Sequence, residues 1–261
     1  MRGKQDDAGG GKGLQGTAPG AVPAMIGLIT TSQDEALMSN QTRLRADDSY
    51  GERRPTSHER HAGQPWDASY REGPAPWDIG APQPAVVRLT SAGVFGGAVL
   101  DAGCGTGNNA LHIAAQGLQP LGVDVAETAV SIARKSGAAR GLDAEFIVAD
   151  ALHLDRLHRA FDTVLDCALF HAFDNDERQD YVASLASVTR PGAYLYLLCF
   201  SDADPETAGP HPVSQQDLSA QFTPGSGWDI ASISPERLYA RFAPEGVPAW
   251  LAKVQRIGPR D

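Results

Sequence analysis

An apolar strand end that runs directly into three alternating glycines constrains this 261-residue chain more than any other feature. The strand end is Val99-Leu100, and Gly103, Gly105 and Gly107 follow it. Because glycine has no Cβ, such a turn lets backbone N–H groups and the start of the next helix approach a ligand closely. The pattern predicts a strand–turn–helix unit with a nucleotide-type ligand at the turn.

One acidic residue beside the turn, Asp101, distinguishes between two kinds of ligand. The spacing Gly105-x-Gly107-x-x-Ala110 also satisfies the dinucleotide pattern G-x-G-x-x-G/A, so NAD is a competing interpretation. A carboxylate here would face the pyrophosphate of a dinucleotide, and like charges repel. S-adenosylmethionine carries a sulfonium and an ammonium and has no phosphate. Asp101 therefore favours S-adenosylmethionine over NAD.

A second apolar run, residues 120–125, ends in Asp124 and Val125. Asp124 follows Gly107 by one helix length, as a βαβ unit requires. In an open parallel sheet, ligands bind at the carboxyl ends of the strands. We therefore expect Asp124 to lie in the same crevice as Asp101, where its carboxylate can accept hydrogen bonds from a ribose diol.

A third apolar run, residues 144–149, precedes Asp150 and Ala151. The Asp150 carboxylate is placed to accept from an adenine amino group, and the Ala151 N–H is placed to donate to the ring. Each strand-end acid could instead be an ordinary helix N-cap. Three such acids together with the glycines favour a ligand site.

These motifs resemble those of the class I S-adenosylmethionine-dependent methyltransferases. Residues 101–107 resemble the first motif of that family, Asp124 its ribose-binding acid, and Asp150-Ala151 its adenine-binding pair. The resemblance extends over about residues 64–257. It implies methyl transfer with S-adenosylmethionine as cofactor, and a cofactor site that includes the three glycines and Val125.

The fold predicted from the hydrophobic pattern is a doubly wound, Rossmann-like α/β sheet of seven mostly parallel strands, with helices on both faces. The last two strands should form an antiparallel hairpin at one edge. Predicted strands cover residues 97–101, 119–124, 144–149, 161–166, 193–200, 227–233 and 248–256. Predicted helices include residues 108–116, 127–138 and 177–189.

Composition divides the chain into two parts. Residues 1–64 are rich in small and polar residues without a sustained period, which predicts a poorly ordered tail ahead of a domain at residues 65–261. The tail carries eight basic and eight acidic side chains, so the net charge of −10 belongs to the domain. An acidic domain disfavours nucleic acid as a partner and suits small neutral or cationic ligands.

The apolar stretch at residues 21–29 is too short to span a bilayer, and no membrane partner is expected. Cys104, Cys167 and Cys199 have no metal-site spacing, so we expect no metal. Their small number indicates a reducing compartment, so we expect a cytoplasmic protein. The expected oligomeric state is a monomer or a weak homodimer.

The segment at residues 65–84, here called the lid, contains Trp66, Tyr70 and Trp77 and two Pro-Trp-Asp triplets. It resembles the N-terminal segment of the thiopurine, halide and thiol methyltransferases, which implies that these aromatic residues contact cofactor or substrate. Aromatic faces attract cations and exclude water, which suits a sulfonium. The alternative is that the two tryptophans only fasten the lid to the core.

Residues 165–169 and 209–213 also resemble that group, but Cys167 stands where the thiopurine enzymes have an arginine. The expected acceptor is a small-molecule thiol, halide, heterocyclic nitrogen or phenolic oxygen. Cys167 is counted with the cofactor site.

A neutral acceptor would need a general base, for which His171 is the first candidate, and Asp166 could position the substrate or the methionine ammonium. The alternatives left open are a phenol or quinone O-methyltransferase that uses His171 as base, an NAD-dependent oxidoreductase and a non-catalytic cofactor-binding protein.

Overall fold

The computed structural model describes residues 50–51, 53–203 and 211–258. Its strands are β1 (Val99–Ala102), β2 (Leu121–Asp124), β3 (Glu145–Val148), β4 (Phe161–Cys167), β5 (Thr189–Phe200), β6 (Trp228–Ala240) and β7 (Ala243–Arg256). Its α-helices are α1 (Ser57–Ala62), α2 (Ala68–Arg71), α3 (Pro84–Ser91), α4 (Asn108–Ala114), α5 (Glu127–Arg140), α6 (Asn175–Val188) and α7 (Gln215–Gln221). Short 3-10 helices cover Ala151–Leu157, Phe170–Ala172 and Pro224–Ser226.

The seven strands form one sheet in the order β3-β2-β1-β4-β5-β7-β6. The first five strands are parallel, whereas β7 runs antiparallel to β5, and β6 runs antiparallel to β7. This confirms the predicted α/β sheet with an antiparallel hairpin at one edge. The strand order reverses at β1, whose neighbours are β2 and β4, so the glycine turn after β1 lies at the switch point of the sheet.

Both faces of the sheet are covered, as the apolar strands require. One face packs around Leu100, Val164 and Leu195, together with helix α6. The opposite face includes Leu165 and Tyr196. No helix among the described residues is long and apolar enough to cross a membrane.

The predicted helix at residues 177–189 begins earlier and ends earlier than expected. Asp174 caps α6, and its carboxylate accepts from the Glu177 N–H at 3.0 Å while the Glu177 side chain accepts from the Asp174 N–H. Thr189 already belongs to β5 and pairs with Phe161, before an irregular stretch that contains Pro191. A proline is tolerated there because the ladder is interrupted.

The expectation of a poorly ordered tail up to residue 64 is wrong for its last part. Helix α1 begins with a capping box, in which the side chains of Thr56 and Glu59 each accept a hydrogen bond from the other residue's backbone N–H. The Glu59 side chain is fully buried and is paired with Arg53. The Thr-x-x-Glu spacing of Thr56 and Glu59 is the sequence signal from which this helix could have been predicted. Residues 1–49 lie outside the described residues.

Helix α1 is joined to the main domain through Glu177 on α6. The Ser57 N–H and Ser57 Oγ donate to the two Glu177 carboxylate oxygens at 2.5 and 2.7 Å. The ordered domain therefore begins before the lid, and α1 is part of it.

The last glycine of the turn, Gly107, serves the packing of the fold. Its φ is +79°, and a Cβ at this position would lie 2.7 Å from the Phe146 ring and 2.8 Å from the Ala133 side chain. These two residues belong to β3 and α5, so α4 can approach them only where the turn has no side chain. A glycine is therefore required at position 107 by close packing, and not by the approach of a ligand.

We expect Gly107→Ala to destabilise the protein more than Gly117→Ala. Gly117 has a similar φ of +86°, but a Cβ there would have no atom within 4 Å, so its substitution adds backbone strain without a steric clash. Overpacking of a filled site costs about 1 to 3 kcal/mol, and the difference in unfolding free energy should be of that size. Urea unfolding of both variants measures it. Equal losses would contradict the packing role of Gly107.

Candidate active site

A cavity of about 430 Å³ lies at the carboxyl ends of the parallel strands, between the sheet and the lid. Most of the predicted site residues line it: Trp66, Tyr70, Trp77, Gly103, Gly105, Asp124, Val125, Asp150, Ala151, Cys167 and His171. Three predicted residues lie outside its wall: Asp101, Gly107 and Asp166. The structure therefore brings most of the predicted site residues to one cavity and places the other three behind its wall.

Asp124 connects the glycine turn to the end of β2. Its Oδ2 accepts from the Gly105 N–H at 2.9 Å, and its Oδ1 accepts from the Ala126 N–H at 2.8 Å. Burial raises the pKa of Asp124, although these two backbone hydrogen bonds oppose the rise. Each oxygen retains a lone pair, so the carboxylate can still accept from two ligand hydroxyls, as the ribose hypothesis requires.

Asp150 performs the ordinary capping role that was the alternative explanation for it. Its carboxylate accepts from the Leu152 N–H at 2.9 Å, and Oδ2 lies 3.2 Å from Nδ1 of His153. The residue nevertheless lines the cavity beside Ala151. Capping and ligand binding are therefore compatible at this strand end.

Asp101 is a buried carboxylate without a partner among the described residues. The residue is 1% exposed, and neither of its oxygens has a hydrogen-bond partner there. Burial raises the pKa of Asp101 to about 7; the backbone N–H of Ala110 opposes this rise, and the nearby carboxylates of Asp166 and Asp124 contribute to it. A buried, unsatisfied carboxylate is costly unless a cation comes near. Its position fits a ligand that carries positive charge.

The lid brings three aromatic residues onto the glycine turn. The Trp77 Nε1–H donates to the Tyr70 hydroxyl at 2.9 Å, and the Trp66 and Trp77 rings meet edge to face at 5.5 Å. A Cβ at Gly105 would lie 3.2 Å from the Tyr70 hydroxyl. The lid therefore rests directly on the turn and covers the cavity with aromatic surface.

Each Pro-Trp-Asp triplet places a tryptophan in the cavity wall and an aspartate against the domain. Asp67 accepts from the Thr128 N–H at 2.7 Å and so caps α5. Asp78 accepts from Thr106 Oγ1 at 2.6 Å and from Asn108 Nδ2 at 3.2 Å. Asp78 itself lines the cavity. It was not among the predicted site residues, although the repeated triplet was a signal for it.

The cavity has two halves that follow from the strand order. Asp124 and Asp150 stand at the ends of β2 and β3, whereas His171 follows β4 and Phe200 ends β5. The second half is mostly apolar; besides His171, its wall includes Ala168, Leu169, Phe173, Phe200, Leu238 and Phe242. Phe242, at the turn between β6 and β7, is 59% exposed. Phe200, Leu238 and Phe242 were not predicted, because a strand prediction does not show which strand end or hairpin tip reaches the site.

His171 is buried in this second half, with 5% of its surface exposed. Its Nδ1 accepts from the Phe200 N–H at 3.2 Å, and its ring stacks on Phe200 at 4.2 Å. Burial, together with charge repulsion from Arg178, His211 and His58, lowers the pKa of His171 to about 3. The ring is therefore neutral at physiological pH.

Asp166 does not reach the cavity, which contradicts its predicted contact with substrate or ammonium. The residue is fully buried, and its Oδ1 accepts from the Leu169 N–H at 3.0 Å and the Phe170 N–H at 3.3 Å. Burial raises its pKa to about 7. These hydrogen bonds hold a turn in which Ala168 has the unfavourable φ of 75°. Asp166 positions the turn that carries His171.

Cys167 lines the cavity with a protonated thiol, because burial raises its pKa well above the ordinary range. It is not an activated nucleophile. Among the described residues, no group of three or more His, Cys, Asp or Glu side chains is placed to hold a metal ion. Of the predicted stretch 209–213, residues 209–210 lie outside the described residues; Val213 is buried and bridges to Ser201.

Comparison with known proteins identifies the family. Residues 99–192 match the model described as "Methyltransferase domain". A 2-heptyl-1-hydroxyquinolin-4(1H)-one methyltransferase of Mycobacteroides abscessus is 39% identical over 168 residues, which are 63% of this chain and 73% of that protein. A probable thiol methyltransferase of Arabidopsis thaliana is 27% identical over 176 residues, which are 66% of this chain and 77% of that protein.

A solved structure is similar over 71% of this chain and 86% of its own, with 41% identity and a TM-score of 0.63. It was described for the conversion of a disulfide bond into a thioacetal group during echinomycin biosynthesis. The matched family and the named methyltransferase relatives agree with the function predicted from the glycine turn and the strand-end acids, and they do not support the NAD-dependent or non-catalytic alternatives. The chain belongs to the class I S-adenosylmethionine-dependent methyltransferases.

Proposed function

We propose that this methyltransferase modifies a hydroxyl on a flat, largely apolar aromatic small molecule. The observation that carries the proposal is the wall of the second half of the cavity, where aromatic and aliphatic side chains surround His171. Such a wall favours an aromatic ring and leaves the imidazole as a polar contact for the reacting group. The named activity of the Mycobacteroides relative, on a hydroxyquinolone, agrees with an acceptor of this kind.

A thiol is the second candidate for the reacting group. The Arabidopsis relative is named a probable thiol methyltransferase, and the lid resembles that of the thiol enzymes. An aromatic thiol would fit the same apolar wall. The two candidates differ in the atom methylated and share the binding surface.

The first half of the cavity would hold S-adenosylmethionine. Asp124 would accept from the ribose, Asp150 and Ala151 would contact the adenine, and the buried charge of Asp101 would favour the amino-acid end of the molecule. When bound, the cofactor supplies an electrophilic methyl group on a sulfonium. Trp66 and Trp77 would exclude water and face the positive charge, so that the protein contributes alignment and desolvation.

An acceptor panel tests the proposal. Purified enzyme with S-adenosylmethionine is offered 1-hydroxyquinolin-4(1H)-one, phenol, thiophenol, imidazole and thiocyanate, and the S-adenosylhomocysteine formed is measured. We expect turnover of the aromatic hydroxyl compounds, with a raised KM in Phe242→Ala because that variant loses part of the apolar wall. The cofactor affinity of Phe242→Ala should be unchanged. Turnover of thiocyanate alone would contradict an aromatic acceptor.

Asp124→Asn should weaken S-adenosylhomocysteine binding by roughly 10- to 100-fold, since a hydrogen bond to a charged group contributes about 1.5 to 3 kcal/mol. The exposed Asp155→Asn is the control and should bind normally. Calorimetry with the 2′-deoxy analogue separates a ribose contact from damage to the turn. Wild-type protein should bind the analogue more weakly, and Asp124→Asn should barely distinguish the two ligands. Undiminished discrimination in the variant would exclude the ribose role.

Binding of S-adenosylmethionine should release protons near neutral pH, and Asp101→Asn should remove that release. The pKa of Asp101 is about 7 without ligand, so the carboxyl is partly protonated at neutral pH. A nearby cationic ligand favours the carboxylate, so affinity should increase as pH rises through about 7. Calorimetry in buffers of different ionisation enthalpy counts the protons. The same release from wild type and Asp101→Asn would show that Asp101 does not respond to the ligand.

A further inference from the structure

We propose that His171 is a fixed hydrogen-bond donor to the reacting oxygen of the acceptor, and that the enzyme consequently methylates acceptors that are already ionised. The proposal rests on the function proposed above and specifies its acceptor as an aromatic oxyanion. It assigns His171 a role opposite to that of a general base.

The protonation pattern of the imidazole follows from one backbone contact. The Phe200 N–H donates to Nδ1 of His171 at 3.2 Å, so Nδ1 uses its lone pair and carries no proton. A neutral imidazole has one N–H, which must then be on Nε2. In this state Nε2 donates a hydrogen bond and has no lone pair with which to accept a proton.

The sheet supplies the reason for this contact. Strand β4 ends at Cys167, which pairs with Leu198, while β5 continues to Phe200. The Phe200 N–H therefore extends beyond its neighbouring strand and would be left unpaired without another acceptor. His171, in the turn after β4, provides that acceptor. Stacking on the Phe200 ring at an interplanar angle of 24° fixes the plane of the imidazole.

The opposite nitrogen, Nε2, is available to a ligand. Among the described residues, Nε2 has no hydrogen-bond partner. It is also not among the polar atoms that are both fully buried and without a partner, so it remains accessible. The residue lines the second half of the cavity. An oxygen bound there would satisfy the Nε2–H, and the N–H would stabilise negative charge on that oxygen.

The charges around the ring support the neutral donor state. Arg178 on α6, His211 before α7 and His58 on α1 are the titratable groups that act on His171, and each disfavours a positive charge on it. Burial is the largest effect and acts in the same direction, and together these effects lower the pKa of His171 to about 3. The positive charge of Arg178 also favours an anionic oxygen at Nε2.

In the methyl transfer that follows from this state, His171 neither accepts nor releases a proton. The acceptor hydroxyl loses its proton to solvent before it reacts. A lone pair of the oxyanion forms the new oxygen–carbon bond while the carbon–sulfur bond of the sulfonium breaks, which leaves a neutral ether and a neutral thioether. His171 keeps its proton throughout.

Two substitutions distinguish a donor from a base. In His171→Gln, the amide oxygen can accept from the Phe200 N–H and the amide nitrogen can donate to the acceptor, but the side chain cannot act as a base. In His171→Phe, the stacked ring is kept and both hydrogen bonds are lost. With 4-nitrophenol, kcat/KM should fall about 10- to 100-fold in His171→Phe and should be largely retained in His171→Gln.

The sulfur analogue of the same acceptor is the matched control. Because sulfur is a weak hydrogen-bond acceptor, turnover of 4-nitrothiophenol should be less affected by His171→Phe than turnover of 4-nitrophenol. Equal losses with both acceptors would show a purely structural role and overturn the proposal. A glutamine variant as impaired as the phenylalanine variant toward 4-nitrophenol would also overturn it.

The pH dependence of kcat/KM provides an independent test with 4-nitrophenol, 4-cyanophenol and phenol. If the enzyme takes ionised acceptors, the rising midpoint should follow the pKa of each phenol and should be the same in wild type and His171→Gln. A midpoint that is constant across the phenols would indicate an enzyme base and overturn the donor role alone. Turnover of none of the acceptors, phenols or thiols, would overturn the proposed function itself.

Discussion

The carboxylate of Asp124 is the contact on which the rest of the site depends. It binds the Gly105 N–H after β1 and the Ala126 N–H before α5, and so holds two neighbouring loops of the sheet together. Tyr70 of the lid lies against the same turn, and Asp67 of the lid caps α5. One strand-end acid therefore organises the turn, the helix start and the surface on which the lid rests.

The buried carboxylates explain why this turn suits a cationic ligand. Asp101 and Asp166 are sealed from water, and burial raises the pKa of each to about 7. A phosphate-bearing ligand would add negative charge beside them, whereas a cation would offset the desolvation of the carboxylate. The two residues nevertheless act differently, because Asp166 is engaged by the turn after β4 and Asp101 has no partner among the described residues.

Much of the fold and half of the site could be predicted from local sequence patterns. The glycine turn and the acids at Asp124 and Asp150 are readable because parallel strands bring their carboxyl ends to one edge. Gly107 and Asp166 were assigned to the site because spacing does not show whether a residue faces a cavity or a neighbouring helix. The acceptor wall could not be predicted, since Leu238 and Phe242 reach it from a hairpin that is distant in sequence.

The role of His171 shows most clearly what a sequence pattern omits. From sequence, a histidine between two phenylalanines after a strand is more often a packed residue than a base, and the pattern does not show which ring nitrogen carries the proton. The difference arises because β5 is longer than β4, which leaves the Phe200 N–H in need of an acceptor and thereby fixes the proton on Nε2. The chemistry available to the imidazole is thus set by the relative length of two strands. In the donor role proposed for His171, the enzyme would select its acceptor through the acceptor's own acidity and through the shape of the apolar wall around the reacting oxygen.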